Sequence, residues 1–214
     1  MRKLVLILMI VAVALMAGSA QAQQKYPLGY GNFAVKVDYL RFTGSEMDDL
    51  GLANAPYIGA EFYFPIFIPS LYLGLEAGYA WSSGDRTYTF FLLNQNPINV
   101  NVDLDVDYVP IELNAKYVFD LSHCWALDFG GGLSVNYFSI DTSAEITGSK
   151  THLNGDADWL FGGQFFMDLN YKAGPWLFGA NIKYQLTDDI SLHDIDTDVS
   201  GSNFRVGGQL GYMF

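Results

Sequence analysis

The sequence predicts an all-β protein: an eight-stranded, antiparallel, up-and-down transmembrane β-barrel preceded by a cleavable signal peptide. Three observations support this fold class. Apolar and polar residues alternate with a period of two over eight segments. The connections between these segments are alternately short and long. The chain also begins with the pattern of an export signal.

Residues 1–22 have the layout of a secretory signal. A basic start precedes an apolar run, Leu4–Met16, and an Ala-Gln-Ala motif ends at Ala22. The apolar run is too short to span a membrane, which takes about 20 residues. No cysteine follows it, so we do not expect a lipoprotein. We expect cleavage after Ala22, which leaves residues 23–214 as one outer-membrane β-barrel domain.

Eight segments of the mature chain read as strands. In the last one the even positions are apolar or small, whereas Arg205 and Gln209 lie at odd positions. No turn follows this strand, so pairing it with the first strand avoids an open sheet edge and closes a barrel. The predicted strands are Asn32–Phe42, Tyr57–Phe64, Leu71–Ser82, Tyr108–Phe119, Trp125–Phe138, Trp159–Tyr171, Trp176–Thr187 and Phe204–Phe214.

The connections differ in length in a regular way. Those after the second, fourth and sixth strands are short, and those after the first, third, fifth and seventh are long. Short inner turns and long outer loops are typical of bacterial outer-membrane barrels. The first strand is therefore expected to run outward. The predicted short turns are 65–70, 120–124 and 172–175, and the predicted long loops are 43–56, 83–107, 141–158 and 188–203.

The second long loop itself reads as a hairpin. Residues 87–93 and 99–106 are strand-like, and the apolar positions change from even to odd near Asp107. This change of phase predicts a bulge or a separate face, and hence a hairpin standing above the membrane. Its apolar residues 90–93 could form an adhesive patch, a cover for the lumen or a self-pairing edge. A cover or local packing is the favoured interpretation.

A soluble lipocalin-like barrel would alternate as well, with its apolar face inward. Four tryptophans favour a lipid-facing apolar side, because they lie at strand ends: Trp81 and Trp159 at the outer level, Trp125 and Trp176 at the inner one, as two aromatic girdles would require. The polar face is rich in glycine, which suits a crowded lumen. The apolar face carries almost no charge. Arg41 is the exception, near the rim, where a basic residue costs about 0–1 kcal/mol.

The polar face is therefore expected to fill the lumen. Eight strands leave room only for side chains or one small ligand, and buried charges must be paired or hydrated. We expect a salt-bridged plug, with a narrow channel as the alternative. A turn symmetric about Ser122 would place Lys116 opposite Asp128. Lys183, Arg205 and Lys36 are expected on one wall, and Glu61, Glu76 and Glu112 towards the other. The predicted lumen charge network is Lys36, Asp38, Glu61, Glu76, Glu112, Lys116, Asp128, Asp168, Lys183 and Arg205.

Composition limits the possible partners. The chain has 11 Lys and Arg against 23 Asp and Glu, a formal net charge of −12, so nucleic acid is not an expected partner. Most of the acids fall in the four long loops. Cys124 is the single cysteine, which excludes an internal disulfide, and with His123 alone it makes no metal-ligand set. We interpret it as a passive turn residue, and we predict no cofactor.

The acidic loops offer only weak metal candidates. Asp194, Asp196 and Asp198 alternate as calcium-loop acids do, but Val199 stands where an EF-hand needs glycine. A solvated loop is the favoured interpretation, and loose divalent bridging to lipopolysaccharide phosphates stays open.

Catalysis on a small barrel would need a histidine and a nucleophile at the rim. His152 and His193 are available there, with Ser149, Ser191 and Ser202 nearby, but no spacing singles out a triad. We do not expect an enzyme.

Residues 109–138, VPIELNAKYVFDLSHCWALDFGGGLSVNYF, are similar to the centre of many small outer-membrane barrels. The whole mature chain resembles the OmpA transmembrane-domain and OmpX type and, more distantly, the OmpW group. The ending with Tyr212 and Phe214 resembles the C-terminal strand that the outer-membrane assembly machinery reads as a signal. The resemblance implies a monomer in the bacterial outer membrane, in contact with lipid and lipopolysaccharide, with a structural or cell-surface interaction role and a possible extracellular ligand at its loops. The OmpW likeness implies instead a narrow passage for small or apolar solutes.

Overall fold

The computed structural model describes residues 31–90, 98–146, 149–192 and 195–214; the predicted signal peptide lies outside these ranges. The described residues form ten strands and one short helix, and no helix among them is long and apolar enough to cross a membrane. In chain order the elements are β1 (Asn32–Phe42), α1 (Ser45–Asp49), β2 (Asn54–Pro65), β3 (Leu71–Phe90), β4 (Ile98–Asp120), β5 (Trp125–Ile146), β6 (Ser149–Ala173), β7 (Trp176–Thr187), β8 (Asp189–Leu192), β9 (Ile195–Ser200) and β10 (Asn203–Met213).

Eight of the described strands form a closed antiparallel barrel in the order β1–β10–β7–β6–β5–β4–β3–β2. The last strand pairs with the first, from Asn32 opposite Met213 to Phe42 opposite Asn203. Strands β8 and β9 form a separate two-stranded sheet. The predicted closure of the barrel is therefore confirmed. We refer below to the short-turn end and the long-loop end of the barrel.

The barrel carries its polar side chains inside and its apolar ones outside. On β1, for example, Lys36 and Asp38 are buried, whereas Val37 is 65% exposed. Val35 and Tyr39 share this outward face, so the alternation places every second residue towards the surroundings. A water-soluble barrel would have the opposite arrangement, because its exterior must be polar. The outward apolar band matches a barrel surrounded by hydrocarbon.

The four tryptophans each pack against a tyrosine on this outward face. Trp125 contacts Tyr171, Trp176 contacts Tyr212, Trp159 contacts Tyr137 and Trp81 contacts Tyr79, with ring centroids 5.1–5.5 Å apart. On β6 the two levels, Trp159 and Tyr171, are separated by about 40 Å along the strand at ~3.3 Å per residue. A strand tilt of about 40° reduces this to about 30 Å in height. That height matches the hydrocarbon thickness of a bilayer.

The wall of the barrel is much taller on one side. Strands β3–β6 have 20, 23, 22 and 25 residues, whereas β1, β2, β7 and β10 have 11 or 12. The β3–β4 ladder runs from Leu71 opposite Tyr117 to Phe90 opposite Ile98. The second loop therefore continues two barrel strands as a hairpin, as predicted; residues 91–97 lie outside the described ranges. We call the parts of β3–β6 beyond Trp81 and Trp159 the extension.

The predicted bulge near Asp107 is wrong. The register of β4 is the same below and above this residue in its ladders with both β3 and β5. A register shift is found instead between β5 and β6, at Ile140 and Thr142. The phase of the apolar residues changes because the barrel interior itself becomes apolar at this height: Val106 is buried inside, next in the inward series to Tyr108.

The predicted register of the turn between β4 and β5 is also wrong. Lys116 lies opposite Gly130, and Val118 lies opposite Asp128. The turn is centred one residue later than predicted, because the Ser122 hydroxyl accepts a hydrogen bond from the Trp125 N–H at 3.1 Å and fixes the last residues of the turn. The pairing therefore shifts by two positions, which preserves the inward direction of both charged side chains.

Candidate functional site

Charged residues at one level of the lumen form two opposed walls. Glu61, Glu76 and Glu112 are direct cross-strand neighbours on β2, β3 and β4. Lys183 and Arg205 are cross-strand neighbours on β7 and β10. Like charges side by side repel each other, so each wall depends on the opposite one. The inward direction of these side chains follows from the parity of each strand, which could be read directly from the sequence.

Glu76 is the centre of the contacts between the walls. Its carboxylate accepts hydrogen bonds from Lys183 Nζ at 2.6 Å, from Lys36 Nζ at 3.1 Å and from Arg205 Nη1 at 3.4 Å. Glu112 accepts from Lys183 Nζ at 2.5 Å and from Arg205 Nη2. All five side chains are almost fully buried. The side chains therefore bridge the full width of the lumen.

The network continues towards the short-turn end. Lys36 Nζ lies 2.6 Å from a Glu61 oxygen, and Lys116 Nζ lies 2.9 Å from Asp128 and 3.9 Å from Glu61. Lys116 Nζ also lies 4.0 Å from the centroid of the Tyr63 ring. The Lys116–Asp128 pair forms although the two residues are not directly opposite, because a lysine side chain reaches a diagonal neighbour. The connected set is Lys36, Glu61, Glu76, Glu112, Lys116, Asp128, Lys183 and Arg205.

Two of the ten predicted network residues stand apart from these ion pairs. Asp38 is buried and accepts a hydrogen bond from Asn181 Nδ2 at 3.0 Å. Asp168 is fully buried, and neither of its carboxylate oxygens has a hydrogen-bond partner among the described residues. Asp168 lies directly opposite Asp128. Asp168 is thus a buried carboxylate of the predicted network without a direct partner among the described residues.

A neutral hydrogen-bonded layer lies above the charges, and the sequence reasoning missed it. Gln185 Nε2 donates to Asn136 Oδ1 at 2.9 Å and to Ser134 Oγ at 2.7 Å, and Tyr108 OH lies 2.8 Å from Gln185 Oε1. Asn203 Nδ2 donates to Tyr108 OH at 3.2 Å. The inward parity of each of these residues was available in the sequence. The prediction concentrated on charged side chains and passed over the amides.

An apolar plug fills the long-loop end of the lumen above this layer. Residues of the first loop fold inward, with Met47 of α1 and Leu52 fully buried. The rings of Phe42, Tyr108 and Phe138 pack edge to face at 5.6–6.2 Å. The plug consists of Leu40, Phe42, Met47, Leu52, Ala55, Tyr57, Ala80, Val106, Tyr108, Phe138 and Leu160. The close spacing of Met47, Leu50 and Leu52 in an otherwise polar loop was the signal in the sequence.

The two ends of the lumen differ. The plug closes the long-loop end, whereas a cavity of about 250 Å³ opens at the short-turn end. Asp128 and Asn170 line the inner part of this cavity, and Asp120 and Lys172 lie at its rim as an ion pair. Solvent therefore approaches the charge network from the short-turn end.

The extension presents an acidic outer face. Asp85 lies opposite Asp103, and Asp105 lies opposite Asp141. Asp85, Asp105 and Asp141 are exposed, and Asp103 accepts a hydrogen bond from Ser143 Oγ at 3.4 Å. At the rim, Arg41 forms an exposed ion pair with Asp48 at 3.3 Å. Arg41 is therefore neutralised outside the apolar band.

Several predicted residues cannot be placed in a site. His193 and Asp194 lie outside the described residues, as do the side chains of His152, Asp196 and Asp198 and of the apolar residues 90–93. Among the described residues no three His, Cys, Asp or Glu side chains converge as metal ligands would. Cys124 is exposed at the short-turn end.

The predicted assembly residues lie at the closing seam. Tyr212 packs against Trp176 on the outward face, and the Phe214 ring stacks on Phe62 with centroids 5.7 Å apart. Their role as an assembly signal stays a prediction.

Comparison with known proteins agrees with this architecture. The outer membrane protein beta-barrel domain family matches residues 9–157. The structure is similar to that of neisserial surface protein A (NspA), at 13% identity over 86% of this chain and 96% of that chain, with a TM-score of 0.51. It is also similar to Ail, the attachment invasion locus protein of Yersinia pestis, at 12% identity over 87% of this chain and 99% of that chain, with a TM-score of 0.48. OprG from Pseudomonas aeruginosa is 16% identical over 87% of this chain and 96% of that chain, with a TM-score of 0.42. No curated protein matches the sequence.

The family match covers more than half of the chain, and the closed eight-stranded barrel with an apolar exterior is the fold that the match requires. The chain therefore belongs to the outer membrane protein beta-barrel domain family and resides in the bacterial outer membrane, in contact with its lipids.

Proposed function

We propose that this protein is a sealed barrel that acts through its extracellular surface, as a structural or cell-surface interaction protein, and not as a pore or an enzyme. The observation that carries the proposal is the double closure of the lumen. Ion pairs bridge it at the level of Glu76 and Glu112, and the apolar plug fills it above. An ion would have to break buried ion pairs and then enter an apolar region, and each step is costly.

The extension supports the surface role. The ladder between β2 and β3 extends from Pro65 opposite Tyr72 to Tyr57 opposite Ala80. Within the described residues, the part of β3 beyond Trp81 therefore has no partner strand on the β2 side. On the other side of the extension, β7 pairs with β6 as far as Gly162, and β8 packs against β6, so the edge proposed for a partner is that of β3. An open strand edge can add an extended segment of a partner through main-chain hydrogen bonds. The acidic outer face favours a partner with positive charge there.

Conductance separates the sealed barrel from the narrow channel. Purified protein would be refolded, inserted into a planar bilayer and recorded at fixed voltage. We expect no steady unitary current. Reproducible unitary conductance would contradict the sealed barrel and favour the alternative, a narrow channel for small solutes.

Shortening the extension tests whether it is available for surface contacts. In the variant, residues 86–102 are replaced by a two-residue turn, which leaves the plug residue Val106 and the whole charge network in place. Because few contacts of the barrel interior are removed, we expect the free energy of unfolding in lipid vesicles to change by less than about 1 kcal/mol. A loss of several kcal/mol would mean that the extension is needed for folding and would count against its role as a free surface.

A further inference from the structure

The charges of the lumen are unbalanced towards the short-turn end. Six acidic residues of the predicted network face four basic ones, and all ten are buried. Lys183 and Arg205 bind Glu76 and Glu112, and Lys36 is shared between Glu61 and Glu76. Near the short-turn end, Lys116 is the cation that contacts Asp128. Most of the positive charge therefore lies in the middle of the lumen, and acidic side chains outnumber basic ones near the short-turn end.

Asp168 lacks a contact that would stabilise its charge. Its side chain is 0% exposed, and both carboxylate oxygens are without hydrogen-bond partners among the described residues. Lys36 and Lys116 act on it electrostatically, but their ammonium groups already contact other carboxylates. An isolated buried carboxylate is costly unless it is neutralised or bound by a cation.

Asp128, Asn170 and Gln209 form a hydrogen-bonded chain beside Asp168. Asp128 lies directly opposite Asp168, and one of its oxygens, Oδ1, is also without a partner among the described residues. Gln209 Nε2 donates to Asn170 Oδ1 at 2.7 Å, and Asn170 Nδ2 donates to Asp128 Oδ2 at 3.1 Å. Each of these two amides thus donates to an oxygen of the next side chain, whereas Gln209 Oε1 has no partner in the described part of the chain. Asp128 Oδ1 and Gln209 Oε1 are therefore two acceptor oxygens without partners among the described residues.

We propose that the short-turn end of the lumen binds a small monovalent inorganic cation, such as Na⁺, between the carboxylates of Asp128 and Asp168, with Gln209 Oε1 as a further ligand. The cavity of about 250 Å³, which Asp128 lines, provides access from the periplasm. Oxygen ligands suit a hard cation. A tight divalent site is disfavoured, because no three carboxylate, imidazole or thiolate groups of the described residues converge and Lys116 is close.

Line broadening of the ²³Na NMR signal tests the site directly. The refolded protein in detergent micelles would be titrated into dilute NaCl, and K⁺ would then be added as a competitor. We expect excess broadening that K⁺ reverses and that Asp168→Asn abolishes. The matched control is Asp120→Asn, since Asp120 is exposed at the rim of the same cavity; it should keep the broadening. Absence of broadening, or equal broadening with Asp168→Asn, would overturn the proposal.

Unfolding equilibria provide a second readout and separate a metal cation from a proton. Urea unfolding would be compared in NaCl and in N-methyl-D-glucamine chloride at equal ionic strength, since the organic cation is too large for the site. With Na⁺ at ten times its Kd, the unfolding equilibrium constant of the wild type should be about tenfold lower, and that of Asp168→Asn unchanged. Stability that depends on pH but not on the cation would show that a proton alone neutralises Asp168, and the proposal would be wrong.

Discussion

Replacing Glu76 by glutamine is expected to destabilise the barrel strongly. Glu76 is 1% exposed and contacts Lys36, Lys183 and Arg205 at 3.1, 2.6 and 3.4 Å. The amide keeps the shape of the side chain but removes the negative charge, so three buried cations lose an anion that they share. Removal of one partner from a buried ion pair costs about 3–5 kcal/mol. We expect a loss in the free energy of unfolding within that range.

The assay is reversible urea unfolding in lipid vesicles, followed by tryptophan fluorescence. Asp48→Asn is the matched control, because it removes a carboxylate from an ion pair with Arg41 whose side chains are 51% and 60% exposed. An exposed pair of this kind contributes about 0–1 kcal/mol. The double variant Glu76→Gln/Lys183→Met restores the charge balance and should be less destabilised than the sum of the two single variants.

A small effect would refute this reasoning. If Glu76→Gln lies within about 1 kcal/mol of the wild type, the contacts of Glu76 do not hold the folded lumen together. The same variant should remain silent in a planar bilayer, because the apolar plug above the network is not altered.

Three further outcomes are expected. On intact cells a membrane-impermeant maleimide should not label Cys124, which is exposed at the short-turn end and is therefore expected to face the periplasm, but should label Asp105→Cys in a Cys124→Ser background; the reverse pattern would contradict the predicted orientation. Met47→Asp should destabilise the barrel by about 2–5 kcal/mol, measured by urea unfolding, because it places a carboxylate in the apolar plug; an unchanged unfolding midpoint would count against a packed plug. Deletion of Phe214 should reduce the amount of protein assembled in the outer membrane, measured by membrane fractionation. Refolding into vesicles should change little, since the deletion removes the ring contact with Phe62 and the hydrogen bond from the Phe214 N–H to the Gly31 carbonyl but no contact in the lumen network or the plug; equal assembly with and without Phe214 would remove its role as a signal.

The membrane-spanning part of the fold could be predicted from the sequence because a two-residue period determines which side chains face inward. The strand containing Lys36 and the closing strand containing Arg205 were placed within a residue of their observed ends. The two walls of the charge network follow from this parity alone. The ion pairs could be predicted from the sequence only in part. Lys116 does bind Asp128, but it reaches this residue diagonally and not from the directly opposite position that the predicted register gave it.

The region above the membrane could not be predicted equally well. Inward-facing side chains have no fixed polarity there. The change of phase near Asp107 was therefore interpreted as a bulge or a separate face, whereas Val106 continues the inward series into an apolar interior. The fold-back of the first loop depends on contacts of Met47 and Leu52 with residues distant in sequence. A local sequence pattern does not indicate contacts between residues that are far apart in the chain. The extra length of β3 and β4 could be predicted, because the strand-like patterns of residues 87–93 and 99–106 indicated a hairpin there.

The seam between β1 and β10 has a consequence for biogenesis. Asn32 meets Met213 there, so the first and last strands of the barrel must find each other across nearly the whole polypeptide. Contacts of such long sequence separation form slowly. Before β10 is available the chain cannot close the barrel, and its unpaired strand edges are prone to aggregation. We therefore expect the barrel to close only after β10, the strand made last, is available to pair with β1.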